Sequence, residues 1–224
     1  MKKLLFMALG SLLAFIPAQH KLPEGFVYVE DYIPSLQVEL RYTSQNNFMG
    51  RPVNGYESRK CILSMQATNA LKAVQADLAQ KKLGLKVFDA YRPQRAVNDF
   101  VEWAKDLSDT AMKSSYYPQV KKSELFEKGY IAARSSHSRG STVDVTLVYL
   151  EDGKEVDMGT PYDYFSPVSW PTHMASITET QYVNRMLLQR SMEKHGFLHL
   201  PTEWWHFTLD GEPFPDTYFD FPVR

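Results

Sequence analysis

A single cysteine, Cys61, is all the thiol chemistry in 224 residues. No intrachain disulfide can form, and the apolar neighbours Ile62 and Leu63 mark Cys61 as buried packing, not a nucleophile. Charge of one sign is also lacking: 25 Lys and Arg face 26 Asp and Glu, for a net charge of -1. With no basic run and no glycine-rich phosphate loop, nucleic-acid binding is not expected. The longest apolar run, Leu4 to Ile16, falls short of the ~20 residues needed to cross a bilayer. No cysteine follows it for lipid attachment, so no stable membrane span is expected. Internal repeats and low-complexity segments are absent as well.

What is present starts with a leader. Met1-Lys2-Lys3 is a short positive start, the apolar run follows, and Pro17-Ala18-Gln19 offers a small residue for cleavage after Ala18. Together these features predict a secretory signal peptide over residues 1–18 and a periplasmic or secreted product. The whole chain is 44% hydrophobic and 23% charged, and the remainder, 19–224, is expected to form one soluble domain with a sizeable core.

Leu63, Ala67, Ala70, Leu71, Val74 and Leu78 recur at helical spacing, with Gly84 as the expected stop; Val97, Phe100, Val101, Ala104 and Leu107 do the same after Pro93. A third helix is expected through Tyr182, Val183, Met186, Leu187 and Met192, closing at Gly196. Val27 to Tyr28, Val38 to Tyr42 and the β-branched run Val143 to Tyr149 predict strands. No regular βαβ spacing appears, so the expected fold class is α+β, a mainly antiparallel sheet flanked by helices. Lys105 to Lys128 is the most irregular stretch, and Ser114 to Pro118 within it is a candidate flap.

Two segments carry metal chemistry. Ser135-Ser136-His137-Ser138-Arg139-Gly140-Ser141-Thr142-Val143-Asp144 doubles back through a turn-forming Ser-Arg-Gly-Ser, which brings His137 towards Asp144 at a strand start. Glu203-Trp204-Trp205-His206 adds a second imidazole and a second carboxylate. Zinc in hydrolases takes three His, Asp or Glu ligands and leaves a position for water, so His137, Asp144 and His206 are the expected ligands and Glu203 the expected base. Trp204, Trp205, Phe207 and Thr208 favour strand, so Glu203 and His206 are expected at a bent strand start. Of the other histidines, His199 competes as a ligand because it is close to Glu203. His195 is read as interacting with a helix C-terminus, and His173 and His20 as structural.

These residues resemble the zinc D-Ala-D-Ala dipeptidases, the VanX-like branch of the M15 peptidases. The family pattern Ser-x-His-x-x-Gly-x-Ala-x-Asp falls on Ser135 to Asp144, with Thr142 where Ala is usual, and Glu-x-x-His falls on Glu203 to His206. Thr142 adds a hydroxyl near the site without removing a catalytic group. Val38 to Tyr42, Asn47 to Gly50, Asp89-Ala90-Tyr91-Arg92-Pro93, Met158 to Asp163 and the ending Glu212 to Pro222 resemble the same branch. The resemblance implies an M15 D,D-peptidase-like fold and one Zn2+ per chain. It places Arg92 opposite the oxygen that turns negative in the tetrahedral intermediate, Asp163 on a substrate ammonium, and Ser135 on the substrate carboxylate or peptide group.

The implied activity is hydrolysis of D-alanyl-D-alanine, or a close D,D-dipeptide, in cell-wall peptide metabolism. Two alternatives stay open at this stage: a D,D-carboxypeptidase acting on peptidoglycan stem peptides, and a non-catalytic zinc-dependent binding module.

Overall fold

The computed structural model describes residues 21–224; the leader 1–18 and His20 lie outside them. In chain order the elements are β1 (Phe26–Tyr28), β2 (Gln37–Val38), β3 (Ile62–Ser64), α1 (Met65–Ala79), β4 (Leu83–Asp89), α2 (Gln94–Lys105), α3 (Lys113–Tyr116), β5 (Thr142–Tyr149), α4 (Glu179–Glu193), β6 (Phe197–Leu200) and β7 (Glu203–Leu209). Five strands form one sheet in the order β2-β4-β5-β7-β6, and β1 pairs with β3 in a second, two-stranded sheet. Only β2 and β4 run parallel; the other pairs are antiparallel. The fold is therefore α+β with a mainly antiparallel sheet. No helix among the described residues is long and apolar enough to cross a membrane.

The central strand β5 is buried from Thr142 through Val148, on both faces, as its β-branched composition favours. α1 packs on β4, α4 packs on β6 and β7, and the two helices touch each other. α1 starts where the Ser64 hydroxyl accepts from the Ala67 N–H at 3.2 Å, and α4 where Thr178 and Gln181 form a capping box.

Register decides where the chemistry sits. Asp89 pairs with Asp144, and Asp144 with His206, so these side chains stand abreast on one face across β4, β5 and β7. The β4–β5 register shifts between Val87 and Asp89. Were the register of Val87 and Val145 continued without that shift, Asp89 would face Val143 and point to the opposite face.

Several local expectations are corrected. Val38 to Tyr42 is a strand only over Gln37–Val38, and Arg41–Thr43 is a 3-10 turn. Local bonds override β propensity there: Thr43 Oγ1 donates to the Leu40 carbonyl at 2.7 Å, and Asn47 Nδ2 donates to the Ser44 and Arg51 carbonyls at 2.7 and 2.8 Å. Leu63 lies in β3, not α1, and Gly84 lies inside β4, not at a helix stop. A Cβ on Gly84 would come within 2.9 Å of Leu150 and 3.1 Å of Gln75, so close packing explains the glycine.

Leu107 lies beyond α2 and is exposed. On α4 the buried side chains are Arg185, Leu188 and Met192, while Val183 is exposed; the inward stripe is rotated from the predicted one because the long stem of Arg185 fills part of it. In the candidate flap Ser114 to Pro118, Tyr116 and Tyr117 are buried and the Tyr116 carbonyl accepts from Phe165 N–H at 2.8 Å, while Ser114, Ser115 and Pro118 are exposed.

Candidate metal centre and active site

His137 is held by a short turn. Ser136–Arg139 forms a 3-10 helix whose cap, Ser135, accepts at Oγ from the His137 N–H at 3.3 Å, and Gly140 closes it in the left-handed region at φ 82. A Cβ at Gly140 would lie 2.2 Å from the Phe26 ring, so both backbone angle and space require glycine. The chain then enters β5 and presents Asp144, whose cross-strand partner is His206 on β7.

His137 Nδ1 lies 2.7 Å from the Ala90 carbonyl. A carbonyl only accepts, so Nδ1 carries the proton and Nε2 presents a lone pair. That Nε2 sits 3.3 Å from Asp144 Oδ1 and 3.2 Å from His206 Nδ1, and His206 Nδ1 is 3.1 Å from Asp144 Oδ1. The other His206 nitrogen, Nε2, lies 3.3 Å from Ser136 Oγ. Tetrahedral ligands held about 2.0–2.1 Å from zinc are about 3.3 Å apart, which matches this triangle. Asp144 Oδ1 is buried and faces the two imidazole nitrogens, as expected of an oxygen that serves a cation. His137, Asp144 and His206 are also the group of described residues whose donor atoms lie close enough to share a metal ion.

Burial opposes charge throughout this cluster. It lowers the His137 pKa. For His206 the hydrogen bond and charge of Asp144, with the charge of Glu203, outweigh burial and raise the pKa. Asp144 is likewise pushed up by burial, but the two imidazoles outweigh it and keep the carboxylate ionised.

Glu203 opens β7, with Oε2 3.7 Å from His206 Nδ1 and a side chain 20% exposed. It stands beside the trio without joining it, and burial raises its pKa.

Arg92 lies ahead of α2 and is not a solvated helix-terminal arginine: its side chain is only 13% exposed. Its Nε donates to Asp89 Oδ2 at 2.8 Å, its guanidinium lies 5.2 Å from the ring centres of Tyr42 and Phe100, and its Nη2 is 3.6 Å from Asp144 Oδ2. Ser135 Oγ is 3.5 Å from Arg92 Nη1. Asp163 is buried and takes the left-handed region at φ 57, a strained conformation for a residue with a side chain. Tyr42 donates to its Oδ2 at 2.8 Å, and burial followed by the nearby Asp144 charge raises its pKa well above the carboxylate range. All seven residues line one cavity of about 310 Å³.

Sequence reasoning gave no role to the residues that brace this site. Tyr56 donates to Asp89 Oδ1 at 2.6 Å, and the Tyr162 hydroxyl has Asp144 Oδ2 at 3.0 Å and the Tyr42 oxygen at 3.1 Å as acceptors. Asp89 and Tyr42 did fall within segments resembling the family, which was the available signal. His199 is no ligand, since its Nδ1 lies 2.8 Å from Glu193. His195 pairs with Asp77 at 2.8 Å, a specific partner in place of a helix dipole alone. The Thr142 hydroxyl, expected near the site, pairs with Thr208 Oγ1 at 2.9 Å.

Comparison with known proteins agrees with this architecture. The family model described as D-ala-D-ala dipeptidase, of the M15 peptidases, matches residues 23–224. A D-alanyl-D-alanine dipeptidase of Enterococcus faecalis is 40% identical over 199 residues, covering 89% of this chain and 98% of that protein. One from Streptomyces coelicolor is 39% identical over 199 residues (88% and 98%), and one from Escherichia coli is 33% identical over 177 residues (79% and 80%). Fold, site geometry and near full-length similarity together establish that this chain belongs to the D-ala-D-ala dipeptidase family of the M15 peptidases.

Proposed function

We propose that this protein hydrolyses D-alanyl-D-alanine or a close D,D-dipeptide in cell-wall peptide metabolism, using one zinc ion held by His137, Asp144 and His206. The observation that carries the reading is the triangle of lone pairs with edges of 3.1 to 3.3 Å, flanked by an unligated carboxylate on one side and a buried guanidinium on the other. Zinc bound there supplies Lewis acidity, polarising a carbonyl and making water a competent nucleophile near neutral pH.

The chain's own groups account for the rest. As water oxygen adds to the peptide carbonyl carbon, Glu203 takes the proton and then delivers it to the departing amine nitrogen as the C–N bond breaks. Arg92, fixed by Asp89, faces the oxygen that gains negative charge. Asp163 pairs with the substrate ammonium and Ser135 with its carboxylate or peptide group. An ammonium arriving at Asp163 favours the ionised form of a carboxyl whose pKa burial raises. A longer peptide brings no ammonium, so the pair would distinguish dipeptides by length.

The leader 1–18 would export a single catalytic domain, 19–224, to the periplasm or the medium. There it would meet dipeptide released from the wall. The test is an activity panel over D,D, L,D and L,L dipeptides and a stem pentapeptide, with and without a chelator. Chelator-sensitive cleavage of D,D-dipeptides is expected; cleavage of the pentapeptide alone would select the carboxypeptidase instead, and metal binding without turnover the binding module.

A further inference from the structure

Glu203 belongs to the walls of two cavities. One is the site described above; the other, about 280 Å³, is lined on its far side by Gln119, Lys128, Ser166, Thr202 and Trp170. The two share Gly129, Tyr130 and Glu203. Gly129 has no side chain, so the shared wall is made of the Glu203 and Tyr130 side chains, and the Tyr130 ring is its apolar, bulky part. That ring lies nearly parallel to Phe165, with centroids 5.0 Å apart and planes at 15°. Its backbone is fixed too: the N–H groups of Tyr130 and Ile131 both donate to the Leu125 carbonyl, at 2.9 and 3.2 Å.

The second cavity also has a direction. Asp163 lines the first cavity, whereas Ser166 and Pro167, only a few residues further on, line the second. Any residue placed ahead of a dipeptide whose amino end sits at Asp163 would run along this segment and meet the Tyr130–Phe165 stack. Beyond it are groups suited to amides: the Gln119 carboxamide, the Ser166 and Thr202 hydroxyls, the Lys128 ammonium, and Trp170, which is 40% exposed. We propose that Tyr130 is a specificity-determining wall, and that the cavity behind it is a latent subsite for the acyl-peptide part of a longer chain ending in D-Ala-D-Ala. This inference rests on reading the first cavity as a D,D-dipeptide site.

The test compares kcat/KM for D-Ala-D-Ala and for an N-acetylated tripeptide ending in D-Ala-D-Ala, in the zinc-loaded parent protein, Tyr130→Ala and Tyr130→Phe. Tyr130→Ala is expected to raise the tripeptide-to-dipeptide ratio by about tenfold or more, a scale set by the exclusion of a bulky group from a packed pocket. Tyr130→Phe retains the parental ratio. An unchanged ratio in a Tyr130→Ala protein that still cleaves the dipeptide would overturn the wall. Should Tyr130→Ala fail to fold by circular dichroism, Tyr130→Leu, which keeps apolar contact with Phe165, replaces it under the same criterion. If the parent cleaves neither substrate, the dipeptidase reading fails on its own. Calorimetry of tripeptide binding then decides the wall: affinity gained on Tyr130→Ala supports it, and equal affinity removes it.

Discussion

Replacing Asp89 with Asn tests whether the buried anion behind Arg92 matters for chemistry or only for the fold. Asp89 is fully buried, takes the Arg92 Nε–H at 2.8 Å and the Tyr56 hydroxyl at 2.6 Å, and pairs in register with Asp144, the proposed ligand. Its pKa is raised, burial outweighing the favourable charges of Arg92 and His137, so holding that charge inside costs the fold part of what the pair returns. Removing one partner of a buried ion pair costs about 3–5 kcal/mol. Here Asn keeps one acceptor and Arg92 keeps Asp144 at 3.6 Å, which sets the expectation lower, at about 2–3 kcal/mol by the same principle. A guanidinium no longer fixed at Nε loses aim at the developing oxyanion, and kcat is expected to fall about 10- to 100-fold with KM little changed. Urea unfolding midpoints and steady-state kinetics on D-Ala-D-Ala read the two effects separately. A stability loss of this size with kcat intact would show that Asp89 does not position Arg92 for the reaction.

Glu203→Ala is expected to lower kcat by about 10²- to 10⁴-fold, the scale of general acid–base catalysis, while elemental analysis still finds one zinc per chain; an unchanged rate removes its assigned role. Stripping the metal from protein held at about 1,000 times Kd removes about 4 kcal/mol of linkage stabilisation, a fall in Tm of about 8–16 °C at this size. Calorimetry that shows equal Tm with and without chelator would contradict the site. Asp99 supplies the pH dependence: burial pushes its pKa up, but hydrogen bonds from Arg51 and the Asn54 N–H outweigh this and hold it below the ordinary value. Its contribution is therefore present above about pH 4 and is lost as pH falls through the folded-state value. Asp99→Asn should lower the urea midpoint at pH 7 and less so at pH 3, and an equal deficit at both would refute the linkage. Thr142→Ala, which removes the 2.9 Å bond to Thr208, should cost about 1 kcal/mol and leave the cleavage rate unchanged.

The residues of the candidate metal centre are legible because their types are scarce and their spacing specific: two histidines and an aspartate after a Ser-Arg-Gly-Ser turn, with a glutamate beside them at the start of a strand of aromatics. The mainly antiparallel sheet followed from strand composition without βαβ spacing. What escaped was set by tertiary context. The 3-10 turn at Arg41–Thr43 depends on side-chain bonds from Asn47 to backbone carbonyls, and a single extra residue near Phe88 aligns Asp89 with Asp144; neither has a periodic signature. The inward stripe of α4 is hidden in the sequence because a buried arginine, whose Nε and Nη1 donate to the Met158, Val168 and Trp170 carbonyls, has the composition of a surface residue. The Tyr42, Tyr56 and Tyr162 hydroxyls bond to residues 18 to 121 positions away, so periodicity is blind to them, and only the family-like segments holding Tyr42 and Tyr162 carry a signal.

Because Asp144 and His206 occupy facing rungs of adjacent strands, their spacing is dictated by the ladder. The long excursion from 150 to 202 carries Asp163 and Phe165 together with Tyr162, which braces Asp144, and α4 and β6, which cover β7, so only its loops outside those parts can be shortened, extended or exchanged while the proposed cation seat survives. One residue inserted between Glu203 and His206 would instead throw the imidazole to the far side of the sheet. A designer seeking new substrates should edit loop residues that line the cavities and leave the rungs, and Tyr162 that braces them, alone.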